Sequence, residues 1–266
     1  MQVEAVVLDL GHTIVDFGPA EDALLDTYRQ ILGMLAGLAT TQLPSAEAMV
    51  QGVARRVWSE VLASYESEEL EELDILPIFD AALQGLGLRL DAATVRRIAV
   101  MEHRALATGT VLPPENREAV RALKRGGLRL GLVSNVHLLP DMMREDLEQL
   151  DLLELFDVTV FSSEERIRKP HPRIYQAALT RLDVPAERAV FVGDRLREDV
   201  RGPKEQGMRA ILTTQFRQED PAEAAVPPDA VIASLAELPG VLARWARPRD
   251  EQGHMEKNEN KGVRDA

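Results

Sequence analysis

The 266-residue chain has no cysteine, only 5 lysines beside 26 arginines, no excess of positive charge and no long apolar run. Without cysteine there is neither a disulfide framework nor a thiolate metal site, which fits a reducing compartment. The 31 Lys plus Arg face 44 Asp plus Glu, a formal net charge of -13, so there is no basic field to hold a nucleic-acid backbone or an anionic membrane surface. The first apolar run reaches Asp9 after about five residues, too short for a signal-peptide core or a membrane span. The expected setting is therefore the cytoplasm and the expected partner a small molecule, with no nucleic acid and no membrane; the oligomeric state is left open. The stretch RPRDEQGHMEKNENKGVRDA, residues 247–266, is nearly free of apolar residues and is expected to be a disordered tail, because burial cannot offset its ordering entropy.

What is present is an alternation of two patterns. Continuous apolar runs of strand length recur at Val3–Leu10, Leu128–Asn135, Asp157–Ser163, Arg188–Asp194, Arg209–Thr214 and Asp229–Ser234. Runs that are apolar at every position belong to strands covered on both faces, hence to a parallel sheet. Helical patterns lie between them: PENREAVRALKR stopped by Gly126-Gly127, LPDMMREDLEQLDLLELF, PRIYQAALTRLDV, and LREDVRGPKEQG closing on Gly207. The expected architecture is a doubly wound, Rossmann-like parallel α/β sheet built from residues 1–17 and 110–246.

Residues 18–109 read differently. Leu24, Leu25, Tyr28, Ile31, Leu32 and Leu35 form one stripe at helical spacing, and Val50, Val53, Val57 and Val61 form another, with no strand signal. This predicts an inserted all-helical domain over the C-terminal edge of the sheet, where open α/β folds bind ligands. The acidic run YESEELEELD inside it reads as a solvated helix face.

Four polar clusters follow predicted strands: Asp9 with Gly11 and Thr13, Ser134-Asn135, the stretch RKPHPRIY around Lys169, and GDRLRED with Asp194 and Asp199. A doubly wound sheet brings such ends to one crevice. Three carboxylates there repel one another unless a cation joins them, and a hard, all-oxygen set suits Mg²⁺ better than Zn²⁺. Ser134, Asn135 and Lys169 are the candidate phosphate-binding residues, with the backbone N–H groups of the turn after Asp9. Asp9 is then placed to attack phosphorus as a carboxylate nucleophile. Each residue also has a plainer reading: Asp9 as a turn cap, Ser134 and Asn135 as turn closers, Asp199 as a solvated helix residue. Lys169 resists one, because the chain so rarely uses lysine. Arg168, Arg173, Arg195 and Arg197 read as surface charges or helix-end partners, and His12 and His137 as incidental loop histidines.

In order and spacing the four clusters resemble the haloacid dehalogenase-like (HAD) hydrolase superfamily, whose phosphatases carry Asp-x-Asp-x-Thr, a Ser or Thr, a Lys and an acidic pair such as Gly-Asp-x-x-x-x-Asp. The resemblance covers the chain except its tail. It implies Asp9 as nucleophile, Ser134 and Lys169 as catalytic phosphate binders, a metal site for Mg²⁺ from Asp9, the Gly11 carbonyl, Asp194 and Asp199, and residues 18–109 as a helical cap. The substrate class implied is a small phosphomonoester. One departure stands out: Gly11 replaces the second Asp, which in the phosphatases protonates the leaving oxygen and then activates water. Loss of such a group typically costs ~10²–10⁴-fold in rate. Three outcomes stay open: slow turnover of esters with good leaving groups, an acid/base role for His12 or a cap residue, or a binding protein without catalysis. A 2-haloacid dehalogenase is a further alternative, although those enzymes tend to carry an aromatic residue at position 11 and lack such an acidic pair. Arg55 and Arg56 are possible anchors for an acidic substrate, of which at most one can face the crevice, since neighbours on a helix diverge by about 100°.

Overall fold

The computed structural model describes residues 3–37 and 42–246; the 247–266 stretch expected to be disordered lies outside the described residues. In chain order the elements are β1 (Ala5–Leu8), β2 (Asp16–Phe17), α1 (Glu21–Leu35), α2 (Ala46–Met49), α3 (Arg55–Glu66), α4 (Ile75–Gly85), α5 (Ala92–Ala107), β3 (Thr110–Val111), α6 (Pro114–Arg125) and β4 (Arg129–Ser134). There follow α7 (Pro140–Gln149), β5 (Val158–Phe161), α8 (Ser162–Glu165), α9 (Pro172–Leu182), β6 (Ala189–Gly193), α10 (Gly202–Glu205), β7 (Arg209–Thr213), β8 (Ala230–Ile232) and α11 (Leu238–Ala246).

All six expected strands form one parallel sheet in the order β5-β4-β1-β6-β7-β8. The central strand β1 is buried on both faces because its side chains alternate between two cores. Val6 and Leu8 pack with Val120 and Leu123 of α6 and Leu242 of α11, whereas Ala5 and Val7 pack with Tyr175, Ala178 and Leu182 of α9. The chain leaves β1 toward β4 and leaves β6 toward β7, so the connections diverge between β1 and β6. Asp9 and Asp194 follow those two strands and flank the divergence, where α/β sheets of this kind open a ligand crevice.

Proline opens α6, α7 and α9 at its first turn, where a missing N–H costs nothing. Two helical expectations are corrected. The pattern 139–156 is one helix only to Gln149: Asp151 turns left-handed at φ 52° and a short 3₁₀ turn, Leu153–Leu155, follows. The stretch from Leu196 begins as a wide π-type turn, Leu196–Arg201, before α10.

Helices α1 to α5 close a core of their own around Tyr28, Ile31, Met49, Val53, Val57, Val61, Phe79, Leu83 and Ile98. Their two connections to the sheet pair as a small antiparallel ribbon, β2 with β3, that the sequence pattern does not show. Beside it Gly18 N donates to the Gly109 carbonyl at 2.7 Å, and a Cβ on Gly109 would lie 2.5 Å from the Gly18 carbonyl oxygen. The crossing needs glycine for want of space.

A third attachment is non-covalent. The acidic run 65–74 is no solvated helix face: α3 ends at Glu66, and the chain beyond it pairs with the loop before Lys169 through an antiparallel bridge between Glu71 and Ile167. Arg168 N donates to the Leu70 carbonyl at 2.9 Å. The Arg168 side chain, 3 % exposed and so not the surface charge expected, donates to Ser64 Oγ at 2.8 Å and to the carbonyls of Glu69 (2.6 Å), Glu71 (3.1 Å) and Ser64. Its guanidinium also stacks 4.9 Å from the Tyr65 ring centroid and 3.9 Å from the Glu72 carboxylate. Glu72 is buried and accepts from the Ser162 hydroxyl at 2.5 Å, and burial pushes its carboxyl above the usual range. Three further links join α5 to α7: His103 Nε2 with Asp146 Oδ2 at 2.7 Å, Arg104 with Glu145 at 3.3 Å and Arg96 with Asp141 at 3.8 Å. Among the described residues no helix is long and apolar enough to cross a membrane.

Two outcomes follow from these buried polar groups. Replacing Arg168 by Met is expected to cost about 3–5 kcal/mol, the usual price of stranding the partners of a buried charge. Arg168→Lys should recover only part of it, since an ammonium cannot fork across four acceptors. Urea unfolding of the three proteins measures this, and an Arg168→Met loss below about 1 kcal/mol would show the anchor to be energetically idle. Glu102, which accepts from Tyr28 in the helical core, is pushed by burial up to about 7. A carboxyl with a raised folded pKa loses stability as pH rises, here between about 4.5 and 7. Glu102→Gln should therefore flatten the fall in stability between pH 5 and pH 8, by an amount on the order of 3 kcal/mol. Parallel pH profiles for wild type and Glu102→Gln would refute this.

Candidate active site

The four sequence clusters meet at the C-terminal ends of β1, β4 and β6. The Lys169 ammonium, 3 % exposed, lies 2.7 Å from Asp9 Oδ1 and 2.7 Å from Asp199 Oδ1. Asp9, Asp194 and Asp199 each offer a carboxylate oxygen within 4.8 Å of the others, and all three are buried. This lysine is the one the composition singled out, and the fold spends it where the charge is most needed.

Each side chain is held by its local backbone. Asp9 N donates to the Val192 carbonyl at 2.9 Å, which continues the β1–β6 ladder by one residue and fixes the carboxylate at the strand end. Asp199 Oδ2 accepts from Asp194 N at 3.1 Å and Arg195 N at 3.0 Å, so the wide turn Leu196–Arg201 folds its carboxylate back over the end of β6. Gly193 makes room for it: a Cβ there would lie 2.3 Å from Asp199 Cγ. Asn135 clasps Lys169 at both backbone groups, accepting from Lys169 N at 2.7 Å and donating to its carbonyl at 3.1 Å. Its amide thus positions the lysine loop. Ser134 is buried at the end of β4, on the strand beside the one that ends in Asp9.

Charge in the cluster is out of balance. Burial pushes Asp9 up to about 7, with Lys169 pulling it back and the Asp199 and Asp194 carboxylates pushing further. Burial and Asp199 push Asp194 up to about 6, against the pull of Arg217. Burial alone would lower Lys169, but Asp199 and Asp9 hold it well above the ordinary lysine value. Arg217, which no sequence pattern singled out, donates from Nε to Asp194 Oδ2 at 2.5 Å, and Thr13 Oγ1 lies 3.4 Å from Asp194 Oδ1. Three carboxylates therefore face two cations. A buried, oxygen-only set with a surplus negative charge fits a hard divalent cation.

The turn after Asp9 carries Gly11 and His12. His12 is left-handed at φ 57°, its Nδ1 lies 2.8 Å from Asp16 Oδ1, and its ring meets Phe17 edge to face at 5.4 Å. A Cβ on Gly11 would lie 2.9 Å from Phe17 Cε2, so an aromatic ring fills the space beside position 11. His12 is thus tied into this turn rather than loose in it. His137 is held between the helical unit and the sheet, 6.1 Å from Trp58 and 6.5 Å from Tyr65 by ring centroids, and burial pushes it down to about 4. It is neutral at physiological pH. Arg173, Arg195 and Arg197 are exposed, as expected of surface charges.

The family model for haloacid dehalogenase-like hydrolases matches residues 3–207. A phosphoserine phosphatase of Thermus thermophilus is 29 % identical over 252 residues, 89 % of this chain and 98 % of that protein. A glyceraldehyde 3-phosphate phosphatase of Pyrococcus furiosus is 31 % identical over 170 residues, 62 % of this chain and 69 % of that protein. Among solved structures, a 2-haloacid dehalogenase from Pseudomonas syringae pv. Tomato superposes with a TM-score of 0.67 at 25 % identity, covering 92 % of this chain and all of that one. With the family model spanning both strands that carry the carboxylates and the loop that carries Lys169, the chain belongs to the haloacid dehalogenase-like hydrolases.

Proposed function

We propose that the protein is a Mg²⁺-dependent phosphatase of a small phosphomonoester and works through an aspartyl-phosphate on Asp9. The observation that carries this reading is the pair of carboxylates beside Asp9: Asp194 and Asp199 each bring an oxygen within 4.8 Å of an Asp9 oxygen, an acidic set that a halide-displacing site does not need. Relatives over most or much of the chain's length are phosphatases of small phosphorylated metabolites.

The residues divide the work. Lys169 holds Asp9 by Oδ1, which leaves Oδ2 to attack phosphorus as the ester oxygen departs. The same ammonium and the Ser134 hydroxyl would bind the phosphoryl oxygens and stabilise the charge that spreads over them in the transition state. Asp9, the Gly11 carbonyl, Asp194 and Asp199 would hold Mg²⁺, which supplies the positive charge that lets one anion approach another. Water then attacks phosphorus of the acyl phosphate, releasing phosphate and restoring Asp9. Gly11 offers no side chain for either proton transfer. His12, oriented by Asp16 on the same turn, is the nearest residue in sequence with a titratable ring to take that part. The helical unit of residues 18–109 would act as the cap over the leaving group. On α3, Trp58 lies against His137 and Arg55 shares its face, whereas the Arg56 guanidinium lies beside Gly85 of α4. Helical spacing from Trp58 thus favours Arg55 over Arg56 as an anchor for an acidic substrate.

A second reading, 2-haloacid dehalogenation, is favoured by one feature: the Phe17 ring stands where those enzymes tend to carry an aromatic residue. Phosphate and halide release from a panel of phosphomonoesters and 2-haloacids, with and without Mg²⁺, separates the two. The phosphatase reading expects Mg²⁺-dependent phosphate release that falls at least ~100-fold in Asp9→Asn. Halide release without metal would replace it with the second reading, and undiminished phosphate release by Asp9→Asn would contradict it. Gly11→Asp alone should already accelerate turnover, because the Phe17 ring edge that its Cβ meets at 2.9 Å belongs to an exposed side chain that can swing aside. Gly11→Asp with Phe17→Ala should accelerate turnover, by up to ~10²-fold.

A further inference from the structure

We infer that Arg217 is a charge gate on the metal site: its guanidinium competes with the divalent cation for Asp194 and sets how tightly that cation binds. The inference rests on the Mg²⁺ site proposed above.

The argument starts from how the carboxylate oxygens are occupied. Asp199 Oδ1 takes the Lys169 ammonium and its Oδ2 two backbone N–H groups. Asp9 Oδ1 takes Lys169 as well. Asp194 faces Thr13 with Oδ1 and Arg217 with Oδ2, the latter at 2.5 Å. Asp194 is therefore the ligand whose charge is already matched, and by a cation from outside the four sequence clusters.

The loop that brings Arg217 is built to bring it. Thr214 N donates to the Ile232 carbonyl at 2.9 Å, Leu235 N donates to Gln215 Oε1 at 2.9 Å, and Gln218 Nε2 donates to the Thr214 carbonyl at 2.6 Å. Two residues past the arginine, Glu219 accepts from Leu196 N at 2.6 Å, which joins this loop to the turn that carries Asp199. The arginine itself stays partly open to solvent, with a side chain 32 % exposed against 3 % for Asp194, so it can leave without unpacking the core.

With Arg217 in place, three carboxylates face two cations; without it they face one. Two negative charges in surplus hold a divalent cation better than one, and a guanidinium at hydrogen-bond distance from a ligand oxygen repels an incoming cation. Whether the arginine is displaced or stays beside the ion, its removal strengthens metal binding. A purely structural tether would act in the opposite sense, since an untethered Asp194 is a poorer ligand.

The test is calorimetric titration of the full chain with Mg²⁺, without substrate, for wild type, Arg217→Ala, Arg217→Gln, Asp194→Asn and Arg195→Gln. Arg217→Gln keeps a neutral donor in the loop and Arg195→Gln removes an exposed arginine from the same region. The expected result is at least ~10-fold tighter Mg²⁺ binding in both Arg217 variants and a change under ~3-fold in Arg195→Gln. Equal or weaker binding in Arg217→Ala and Arg217→Gln overturns the gate and leaves the phosphatase reading untouched. Equal tightening by Arg195→Gln also overturns it, because the effect is then net charge alone. Absence of binding in every protein removes the metal site and the gate together.

Discussion

One buried ammonium organises the site. Lys169 in a nearly dry environment would lose its proton unless carboxylates faced it, and Asp9 and Asp199 do so at 2.7 Å each. Neither carboxylate is tolerable there without it. The requirement propagates outward: Asp9 must sit at the end of β1 and Asp199 must fold back over Gly193. Asn135 must grip the lysine backbone from the end of β4, and Arg168 must tie the lysine loop to the helical unit. Three strand ends and the attached helices are thereby set relative to a single nitrogen.

That dependence explains what was legible in the sequence. The six strands were readable because runs such as AVVL and AVFVG are apolar at every position, and the site cluster because residues at the ends of parallel strands must converge. Lys169 could be picked out by its rarity. Arg168 could not: an arginine beside a lysine reads as surface charge, and only a β-bridge between segments some hundred residues apart reveals its backbone acceptors. The same bridge buries Glu72 within an acidic run that composition assigns to solvent. Arg217 was invisible for a similar reason, since it follows β7 in a loop without a motif, and its meaning lies in a contact with Asp194 across 23 residues. Two-residue strands such as β2 and β3 carry no periodicity to read.

The turn after Asp9 has no side chain at position 11 and a titratable ring one residue on. The edge of the Phe17 ring lies beside the space a side chain at position 11 would use, and His12 pairs with Asp16. On the proposed mechanism the charges around Asp9 would hold the metal and the phosphoryl group, and what position 11 lacks is a group for proton transfer, to the leaving oxygen and from water. With an ester whose leaving oxygen needs no proton, an enzyme so arranged should form its covalent intermediate more readily than it resolves it.

Acid quenching during turnover of an aryl phosphate, whose leaving oxygen needs no proton, followed by mass mapping of the peptide that contains Asp9, tests this account most directly. It predicts one phosphoryl group on that peptide, accumulating to a substantial fraction of the enzyme because breakdown is the slower step, and absent from Asp9→Asn. Steady phosphate release with no adduct on Asp9 at any time point, or an adduct on another residue, would contradict it.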